Sequence, residues 1–334
     1  MKEALFYKKL AEKKVQCQLC PRNCIITEGK RGFCGVRQNK KGKLVSLVYA
    51  KPCSVNADPI EKKPVFHFAP GTSCLSICTV GCNLDCSFCQ NWEISHPDEI
   101  FGESVAPERI IEITKQNDLP GIAYTYTEPT VFYEYALDCM KLAKNAGLYN
   151  VWVSNGYINP EPAKQAAKFL DAINVDLKGD IKFYQKLCSV PNEEPMKKAL
   201  KIYKKAGVWI EITNLVIPGY NDKKEQVEKL VQWVKENLGT DIPLHFSRFY
   251  PHRKMADTSP TDVRTLEMAV QIAEYAGMKY VYLGNVPGHP KENTYCPKCG
   301  TPVIKRSGLM LNSINEKCPK CNTKIPIAGR KWMK

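Results

Sequence analysis

Long apolar runs are missing from this chain of 334 residues. No stretch approaches the roughly 20 apolar residues that a membrane-spanning helix requires, so we expect no membrane contact. The segment from Met1 to Lys14 mixes charged side chains with scattered apolar ones, so we also expect no secretion signal. The composition therefore predicts a cytoplasmic protein.

Acidic residues are scarce at both ends of the chain. Residues 1–43 carry twelve Lys and Arg against three Glu, residues 291–334 carry ten against two, and the segment between them has a net charge of −3. Two explanations fit: a solubility effect with partial compensation of bound thiolates, or contact with an anionic partner such as RNA or an acidic protein. No run of aromatic residues alternates with basic ones, so a stacking platform for single strands is not indicated.

Cysteine, by contrast, is abundant, with sixteen residues. In a chain without an export signal, this number favours metal ligation over disulfide bonds. One set near the N-terminus has the spacing C-x2-C-x3-C-x9-C and consists of Cys17, Cys20, Cys24 and Cys34. Zinc and an auxiliary iron–sulfur cluster both suit four thiolates, and the spacing leaves the two alternatives open.

A second set of four cysteines lies near the C-terminus. Two C-x2-C pairs are separated by eighteen residues: Cys296, Cys299, Cys318 and Cys321. This pattern predicts a tetrahedral zinc site, and Gly300 suits the tight turn after the first pair. Four thiolates fill the coordination sphere of zinc, so we expect a structural zinc ribbon that folds a segment too small for its own core.

The middle of the chain alternates short apolar strands with helical patterns. The predicted strands span 74–78, 121–126, 150–154, 172–176, 208–216, 243–247 and 279–283, and the clearest helices span 130–146, 222–237 and 261–275. This alternation predicts an α/β fold, with a parallel sheet curled into a partial (β/α)6 barrel similar to a TIM barrel, or seven strands if the last one joins. We expect three regions: an N-terminal cysteine-rich region, a barrel and a zinc-ribbon-like domain, at 1–70, 71–290 and 291–334.

Polar clusters follow successive predicted strands at the same end. In barrels of parallel strands, working residues lie where the strands end. The first strand leads into Cys82-x3-Cys86-x2-Cys89, and the clusters after later strands lie at 126–129, 154–156, 176–178, 216–219 and 245–248. Three thiolates in a compact loop can hold three irons of a cubane cluster and leave the fourth iron open for chemistry.

With this triad and these clusters, the chain resembles the radical S-adenosylmethionine (SAM) superfamily, and in particular activases such as pyruvate formate-lyase activating enzyme. The resemblance implies a [4Fe–4S] cluster on the triad, reductive cleavage of SAM, and a 5′-deoxyadenosyl radical that abstracts hydrogen from a substrate. It implies SAM contacts from Thr127, Glu128, Ser154, Asn155, Asp176, Lys178 and Val216. Within that set Glu128 would receive the amino group, Lys178 the carboxylate and the 216–219 segment the adenine.

Each of these matches has a simpler alternative. Glu128 could serve only as a negative charge at a helix start, where the helix dipole favours it. Asp176 and Lys178 could form a surface ion pair, and Asn155-Gly156 could be only a turn. Tyr126 and Thr127 stand where the family has two glycines.

Further stretches are similar to the radical SAM member of the AmmeMemoRadiSam system: Cys20-Pro21, 31–37, 58–64, His67-Phe68, 89–92 and 284–286. This resemblance implies Memo-like and AMME-family proteins as partners, and an electron donor of the ferredoxin or flavodoxin type. It does not supply a substrate. We expect the substrate to be a protein or another macromolecule such as RNA, and a small-molecule substrate and a non-catalytic scaffold or electron carrier remain alternatives.

Overall fold

The computed structural model describes residues 1–333, and a sheet of eight strands forms its centre. The strands in chain order are β1 Lys2–Glu3, β2 Tyr7–Lys9, β3 Val15–Cys17, β4 Ile25–Ile26, β5 Arg37–Lys40, β6 Lys43–Ser46, β7 Ser54–Pro59, β8 Ser73–Cys78, β9 Gly121–Tyr124, β10 Tyr149–Ser154, β11 Ala172–Asp176, β12 Trp209–Val216, β13 Leu244–Arg248, β14 Val281–Gly284, β15 Thr294–Tyr295, β16 Pro302–Ser307 and β17 Met310–Ile314. The helices are α1 Trp92–Ser95, α2 Pro107–Gln116, α3 Tyr133–Asn145, α4 Pro160–Ala167, α5 Ile181–Cys188, α6 Glu194–Lys205, α7 Lys224–Asn237 and α8 Val263–Tyr275.

The central sheet contains seven parallel strands, β8 to β14, which pair in sequence order. The predicted α/β fold with a TIM-like partial barrel is confirmed, and the seventh strand joins it. Each predicted strand agrees with the observed one to within two residues at either end. Because the strands are parallel, their carboxyl ends all lie at one edge of the sheet.

Helix α3 starts later than its sequence pattern predicts. The backbone N–H of Thr130 donates to the side chain of Glu128 at 3.0 Å, and Val131 N donates to the carbonyl of Glu128 at 3.0 Å, so this segment forms a turn. The helix begins only at Tyr133. At its other end Gly147 has a φ of 75°, the left-handed conformation that glycine adopts readily after a helix.

The base of the barrel is closed by the segment that precedes β8. The buried carboxylate of Glu211 on β12 accepts from the backbone N–H groups of Phe66 and His67, at 2.9 Å and 2.7 Å. His245 on β13 lies 2.7 Å from the same carboxylate through Nε2. The chain before the barrel is therefore fastened to its interior rather than to its outer surface.

The N-terminal region forms two small antiparallel sheets, β2-β3-β4 and β1-β6-β5. A buried ion pair between Arg37 and Glu134, 2.9 Å long, joins this region to α3. Strand β7 also lies within the predicted 1–70 region, yet it pairs antiparallel with β8 and extends the central sheet. The predicted boundary at residue 70 thus falls between two strands of one sheet, and the three-region division stays a prediction.

The C-terminal segment forms the three-stranded antiparallel sheet β15-β16-β17. Buried Arg306 donates to the carbonyl of Phe66 at 2.8 Å, and Ala328 N donates to the carbonyl of His67 at 2.8 Å, so the segment packs against the base of the barrel. No helix within residues 1–333 combines the length and apolar character needed to cross a membrane.

We expect Glu211→Gln to destabilise the protein. The amide would present an NH2 group to the N–H donors of Phe66, His67 and His245, at a cost of about 1–3 kcal/mol for each buried donor left unpaired. Urea unfolding of this variant, with Glu228→Gln on the exposed face of α7 as control, measures the loss. Equal stability of the two variants would contradict this role of Glu211.

The same carboxylate makes stability depend on pH. Burial raises the pKa of Glu211, but the hydrogen bond and charge of His245 outweigh burial and hold the pKa below its usual value. A carboxylate with a lowered pKa stabilises the fold above the unfolded-state pKa of about 4.3, and this contribution disappears as the pH falls through the lowered value. Acid unfolding of the wild type should therefore show a loss of stability as the pH falls below about 4.3 and through the lowered pKa of Glu211. The Glu211→Gln variant should lack this loss.

Candidate active site and metal centres

A cavity of about 800 Å³ opens at the carboxyl ends of the parallel strands. Its volume lies toward the upper end of the roughly 300–1,000 Å³ of small-molecule sites. It brings together all predicted cluster ligands and all predicted SAM contacts except Val216, namely Cys82, Cys86, Cys89, Thr127, Glu128, Ser154, Asn155, Asp176 and Lys178. The polar clusters at successive strand ends therefore share one space, as the sequence predicts.

The cysteine loop between β8 and α1 is braced by a segment far away in sequence. Arg253 donates to Asp85 at 2.5 Å and to the carbonyl of Cys86 at 2.8 Å. Arg253 has a φ of 54°, and Lys254 N donates to the carbonyl of Ser87 at 3.0 Å. This brace fixes the loop backbone, and no sequence signal points to it.

The three thiols of the loop are less tightly grouped than those of the C-terminal cysteine set. Within residues 1–333 only the C-terminal cysteines form a group of metal-ligand atoms all within 4.8 Å of one another, so at least one pair among the sulfurs of Cys82, Cys86 and Cys89 is longer than that. Burial raises the pKa of Cys82 and Cys89, and a thiol contact with Cys188, followed by burial, raises that of Cys86. Since only thiolates ligate metals, a bound cationic centre has to supply the compensating charge. These features fit an iron–sulfur cluster.

Glu128 is completely buried and lies after β9. Its Oε1 accepts hydrogen bonds from Thr130 N at 3.0 Å, from the Thr130 hydroxyl at 2.6 Å and from the Ser154 hydroxyl at 2.9 Å. Its Oε2 accepts one, from Asn155 N at 2.8 Å. Burial raises the pKa of Glu128 in spite of these donors. A carboxylate has about four lone-pair sites, so Oε2 retains capacity for a further donor from the cavity.

Asn155 connects the end of β10 to the cysteine loop. Its Nδ2 donates to Asn83 Oδ1 at 2.9 Å and lies 3.8 Å from the sulfur of Cys82. Its Oδ1 accepts from Tyr157 N at 2.8 Å, and Gly156 between them has a φ of 70°. The Asn-Gly pair is therefore a turn, and its side chain also reaches the predicted cluster ligand.

Tyr126 occupies the first of the two positions where the family has glycine. Its φ is 62°, in the left-handed region that favours glycine. The side chain is anchored, because its hydroxyl donates to Asp58 and its ring centroid lies 4.6 Å from the ammonium of Lys63. Asn91 Nδ2 donates to the Tyr126 carbonyl at 2.7 Å. The turn that glycine allows is thus present here with a tyrosine.

Asp176 and Lys178 lie at the end of β11 and form an ion pair of 2.5 Å. The Lys178 side chain is only 9% exposed, so this is not a pair on the outer surface. Burial lowers the pKa of Lys178, but the charge of Asp176 and the nearby thiol of Cys86 outweigh it and raise that pKa overall. The lysine is therefore a permanent cation beside the cysteine loop.

The predicted SAM contact of Val216 stays a prediction. Side chains alternate between the two faces of a strand, and on β12 Thr213 and Leu215 face the cavity. Val216 is fully buried and does not line the cavity, and its carbonyl accepts from the Thr261 hydroxyl at 2.6 Å. The apolar side chain available from this strand is that of Leu215, one residue earlier.

Sequence reasoning missed the wall of the cavity that comes from the two flanking regions. The N-terminal side supplies Glu61, Lys62 and Lys63, and the C-terminal segment supplies Glu292, Gly308 and Leu309. The charged residues of the 58–64 stretch were the available sequence signal for this wall, but their pattern by itself indicates only a family resemblance. The contribution of the C-terminal segment depends on its docking and has no local signal.

The C-terminal cysteines form a compact tetrad. The sulfurs of Cys296 and Cys321 are 3.5 Å apart, those of Cys299 and Cys318 are 3.4 Å apart, and all four lie within 4.8 Å of one another. The knuckle turns are alike: Gly300 N donates to the Cys296 carbonyl at 2.9 Å, and Asn322 N donates to that of Cys318 at 2.8 Å. Hydrogen bonds from Thr301 lower the pKa of Cys299 to about 6. The tetrad fits a single tetrahedral ion such as zinc.

The N-terminal cysteines line a second, small cavity of about 20 Å³. All four of them, Cys17, Cys20, Cys24 and Cys34, face it, but they do not form a tight tetrad like the C-terminal set. Burial raises the pKa of Cys20 to about 12 and that of Cys34 to about 11. Metal binding would again have to supply the charge that stabilises these thiolates.

We expect Tyr126→Phe to lower the free energy of unfolding by about 1–2 kcal/mol, because the buried carboxylate of Asp58 loses one of its donors. The backbone strain at this position is the same in both proteins, so it cancels. Urea denaturation measures the difference, and Tyr275→Phe, at a side chain that is 97% exposed, is the control. A variant as stable as the control would contradict the anchoring role of the hydroxyl.

Comparison with known proteins gives results at three levels. A family model described as the radical SAM superfamily matches residues 76–234. The uncharacterized protein MJ0808 of Methanocaldococcus jannaschii is 48% identical over 98% of this chain and 99% of its own length. The pyruvate formate-lyase-activating enzyme of Clostridium pasteurianum is 25% identical over 46% of this chain and 66% of that enzyme. The SAM-bound structure of SuiB from Streptococcus suis has a TM-score of 0.52 at 15% identity, over 71% of this chain and 56% of SuiB, and shares the fold.

Proposed function

Because this chain belongs to the radical SAM superfamily, whose members are enzymes, we propose that it binds SAM in its large cavity. The SAM lies beside a [4Fe–4S] cluster on Cys82, Cys86 and Cys89, and the protein abstracts hydrogen from a substrate. A cluster held by these cysteines and reduced by an external donor would supply the one electron that cleaves SAM to methionine and a 5′-deoxyadenosyl radical. The observation that carries the proposal is the shared cavity, in which these three thiols face a buried carboxylate and a buried ammonium.

The two charged groups match the two charges of the amino-acid part of SAM. Glu128 Oε2, with its remaining lone pair, receives the ammonium, and Lys178 receives the carboxylate. Thr127 donates through its hydroxyl to the Thr79 carbonyl at 2.8 Å, which keeps the strand-end turn close to the cysteine loop. Leu215 is the apolar contact for the adenine. Each of these residues has a fixed position before SAM arrives, so binding costs little side-chain entropy.

For the substrate we favour a macromolecule, most directly a protein. The excess positive charge lies on residues 1–43 and 291–334, while the flanking residues that line the cavity are Glu61, Lys62 and Lys63 on one side and Glu292, Gly308 and Leu309 on the other. A partner that contacts those regions is therefore in reach of the radical site, and a net negative partner would be attracted to them. Memo-like and AMME-family proteins are the first candidates to test, and a ferredoxin or flavodoxin type protein is the proposed electron donor. A small-molecule substrate is the competing proposal, supported by the closed barrel base.

Glu128→Gln tests the site. Anaerobically reconstituted wild type with SAM and dithionite should form 5′-deoxyadenosine. The variant should bind SAM roughly 10–100-fold more weakly, since a hydrogen bond to a charged group contributes about 1.5–3 kcal/mol. Equilibrium binding and product formation are measured together, and Glu225→Gln, at an exposed position of α7, is the control.

Three outcomes of the 5′-deoxyadenosine assay with wild type and candidate partners decide between the alternatives. Absence of 5′-deoxyadenosine from wild type with an intact cluster and candidate partners would support a scaffold or electron carrier and reject the enzyme. Stimulation by a purified Memo-like or AMME-family protein would support the macromolecular substrate. Stimulation by a protein-free metabolite extract, but by none of the proteins or RNA, would support the small-molecule alternative.

We also propose that the C-terminal tetrad holds a structural zinc ion. Wild type purified without added metal should contain one zinc per chain, and Cys299→Ser should lose it and unfold at a lower temperature, because the metal replaces the core that this segment lacks. Cys53→Ser, at a cysteine outside the predicted metal sets, is the control. Full zinc content in Cys299→Ser would reject the site.

A further inference from the structure

The two four-cysteine sets differ in a way that their sequence spacing does not reveal. A tetrahedral zinc site with Zn–S bonds of about 2.3 Å places its sulfurs about 3.8 Å apart, which leaves no free space between them. The C-terminal set has this compactness, with sulfur pairs at 3.4 Å and 3.5 Å. The N-terminal set does not, since within residues 1–333 no three of its sulfurs are mutually within 4.8 Å.

Space remains between the N-terminal thiols. The cavity that all four line has a volume of about 20 Å³, more than the roughly 10–15 Å³ that one water-sized body needs. In a cubane, an iron–iron edge separates the irons that neighbouring thiolates bind, so the thiolate sulfurs stand further apart than around one ion. Within one chain, therefore, the C-terminal set has the compactness of a single-ion site and the N-terminal set does not.

A second observation points to a ligand in this cavity. Arg37 lines it, is only 2% exposed, and forms an ion pair with Glu134 through its terminal nitrogens. Its Nε–H, however, is buried and has no hydrogen-bond partner among residues 1–333. An unpaired buried donor costs about 1–3 kcal/mol, so its presence calls for an acceptor. Thiolate or sulfide sulfur of a bound cluster would be such an acceptor.

We propose that Cys17, Cys20, Cys24 and Cys34 hold an auxiliary iron–sulfur cluster, with Arg37 Nε–H as donor to its sulfur, in direct structural contact with the Cys82 site. Four thiolates saturate such a cluster, so it has no open iron and cannot bind SAM. Its role is electron transfer: one electron enters from an iron–sulfur or flavin protein and leaves to the neighbouring site.

The contact between the two sites is short and rigid. Asn83, the neighbour of Cys82 in sequence, lines the N-terminal cavity, whereas Cys82 lines the large one. Arg22, which follows Cys20 by two residues, donates through Nε to the Asn83 carbonyl at 2.6 Å. Asn159 N donates to the carbonyl of Leu19 at 3.1 Å, which fastens the same loop to the segment after β10. Two consecutive residues of the chain therefore line the two cavities.

The site itself is tested with the triple variant Cys82→Ala/Cys86→Ala/Cys89→Ala, which keeps the N-terminal region unchanged. After anaerobic reconstitution it should retain two or four irons with equal sulfide, show sulfur-to-iron charge-transfer absorption, and give a paramagnetic signal when reduced. The C-terminal zinc should stay at one per chain. Two zinc ions and no iron, or no metal at the N-terminal set, would overturn the proposal.

The complementary variant Cys20→Ala/Cys24→Ala should lose only that iron and sulfide, and its single zinc reports that the chain has folded. The contact with the Cys82 site rests on the proposed function, so it is tested separately by the paramagnetic resonance of the reduced proteins. Wild type should give a signal broader than the sum of the two variants' signals, because neighbouring spins couple. A wild-type signal equal to that sum would reject the contact. A Cys20→Ala/Cys24→Ala protein without any cluster would reject the proposed function and leave the result from the triple variant unaffected.

Discussion

The buried carboxylate of Glu128 is the interaction on which the arrangement of the site depends. It accepts hydrogen bonds from its own turn after β9 and from Ser154 and Asn155 at the end of β10. Asn155 passes the connection on to Asn83 in the cysteine loop, and Arg22 of the N-terminal region donates to the same Asn83. Each donor in this network pairs with an acceptor that also needs a partner. The turn after β9, the end of β10, the cysteine loop and the N-terminal region therefore cannot shift independently.

This network explains why the flanking regions are not appendages. The N-terminal region reaches the cysteine loop through Arg22 and α3 through Arg37, and the C-terminal segment reaches the barrel base through Arg306. Both regions also line the large cavity. The barrel alone would leave that cavity open on the side where Lys63 and Glu292 now stand. The two four-cysteine sets of the flanking regions and the large cavity of the barrel are therefore parts of one structure.

Local pattern predicted the strands well because each is a short buried apolar run, and burial in a parallel sheet is what such a run requires. The local pattern failed where a polar side chain accepts a hydrogen bond from the backbone. Thr130 fits a helix start by sequence, but its N–H is used by Glu128, so α3 begins at Tyr133. On β12 the pattern indicated the strand but not which of its two faces meets the cavity, and the residue that lines it is Leu215 rather than Val216. Arg253 had no local signal, since its partners are about 170 positions away in sequence.

The sequence by itself determined the cysteine triad, the two four-cysteine sets and the order of the strands, because metal-ligand spacing and apolar runs are local properties. Tertiary structure alone decided what shares a cavity with what. The distances between sulfurs distinguish the compact C-terminal tetrad from the open N-terminal one, although the residue type is the same in both. Tyr126 has a glycine-like backbone conformation, and Asp58 and Lys63 hold its side chain there. Such contacts join residues far apart in the chain, so no local pattern encodes them.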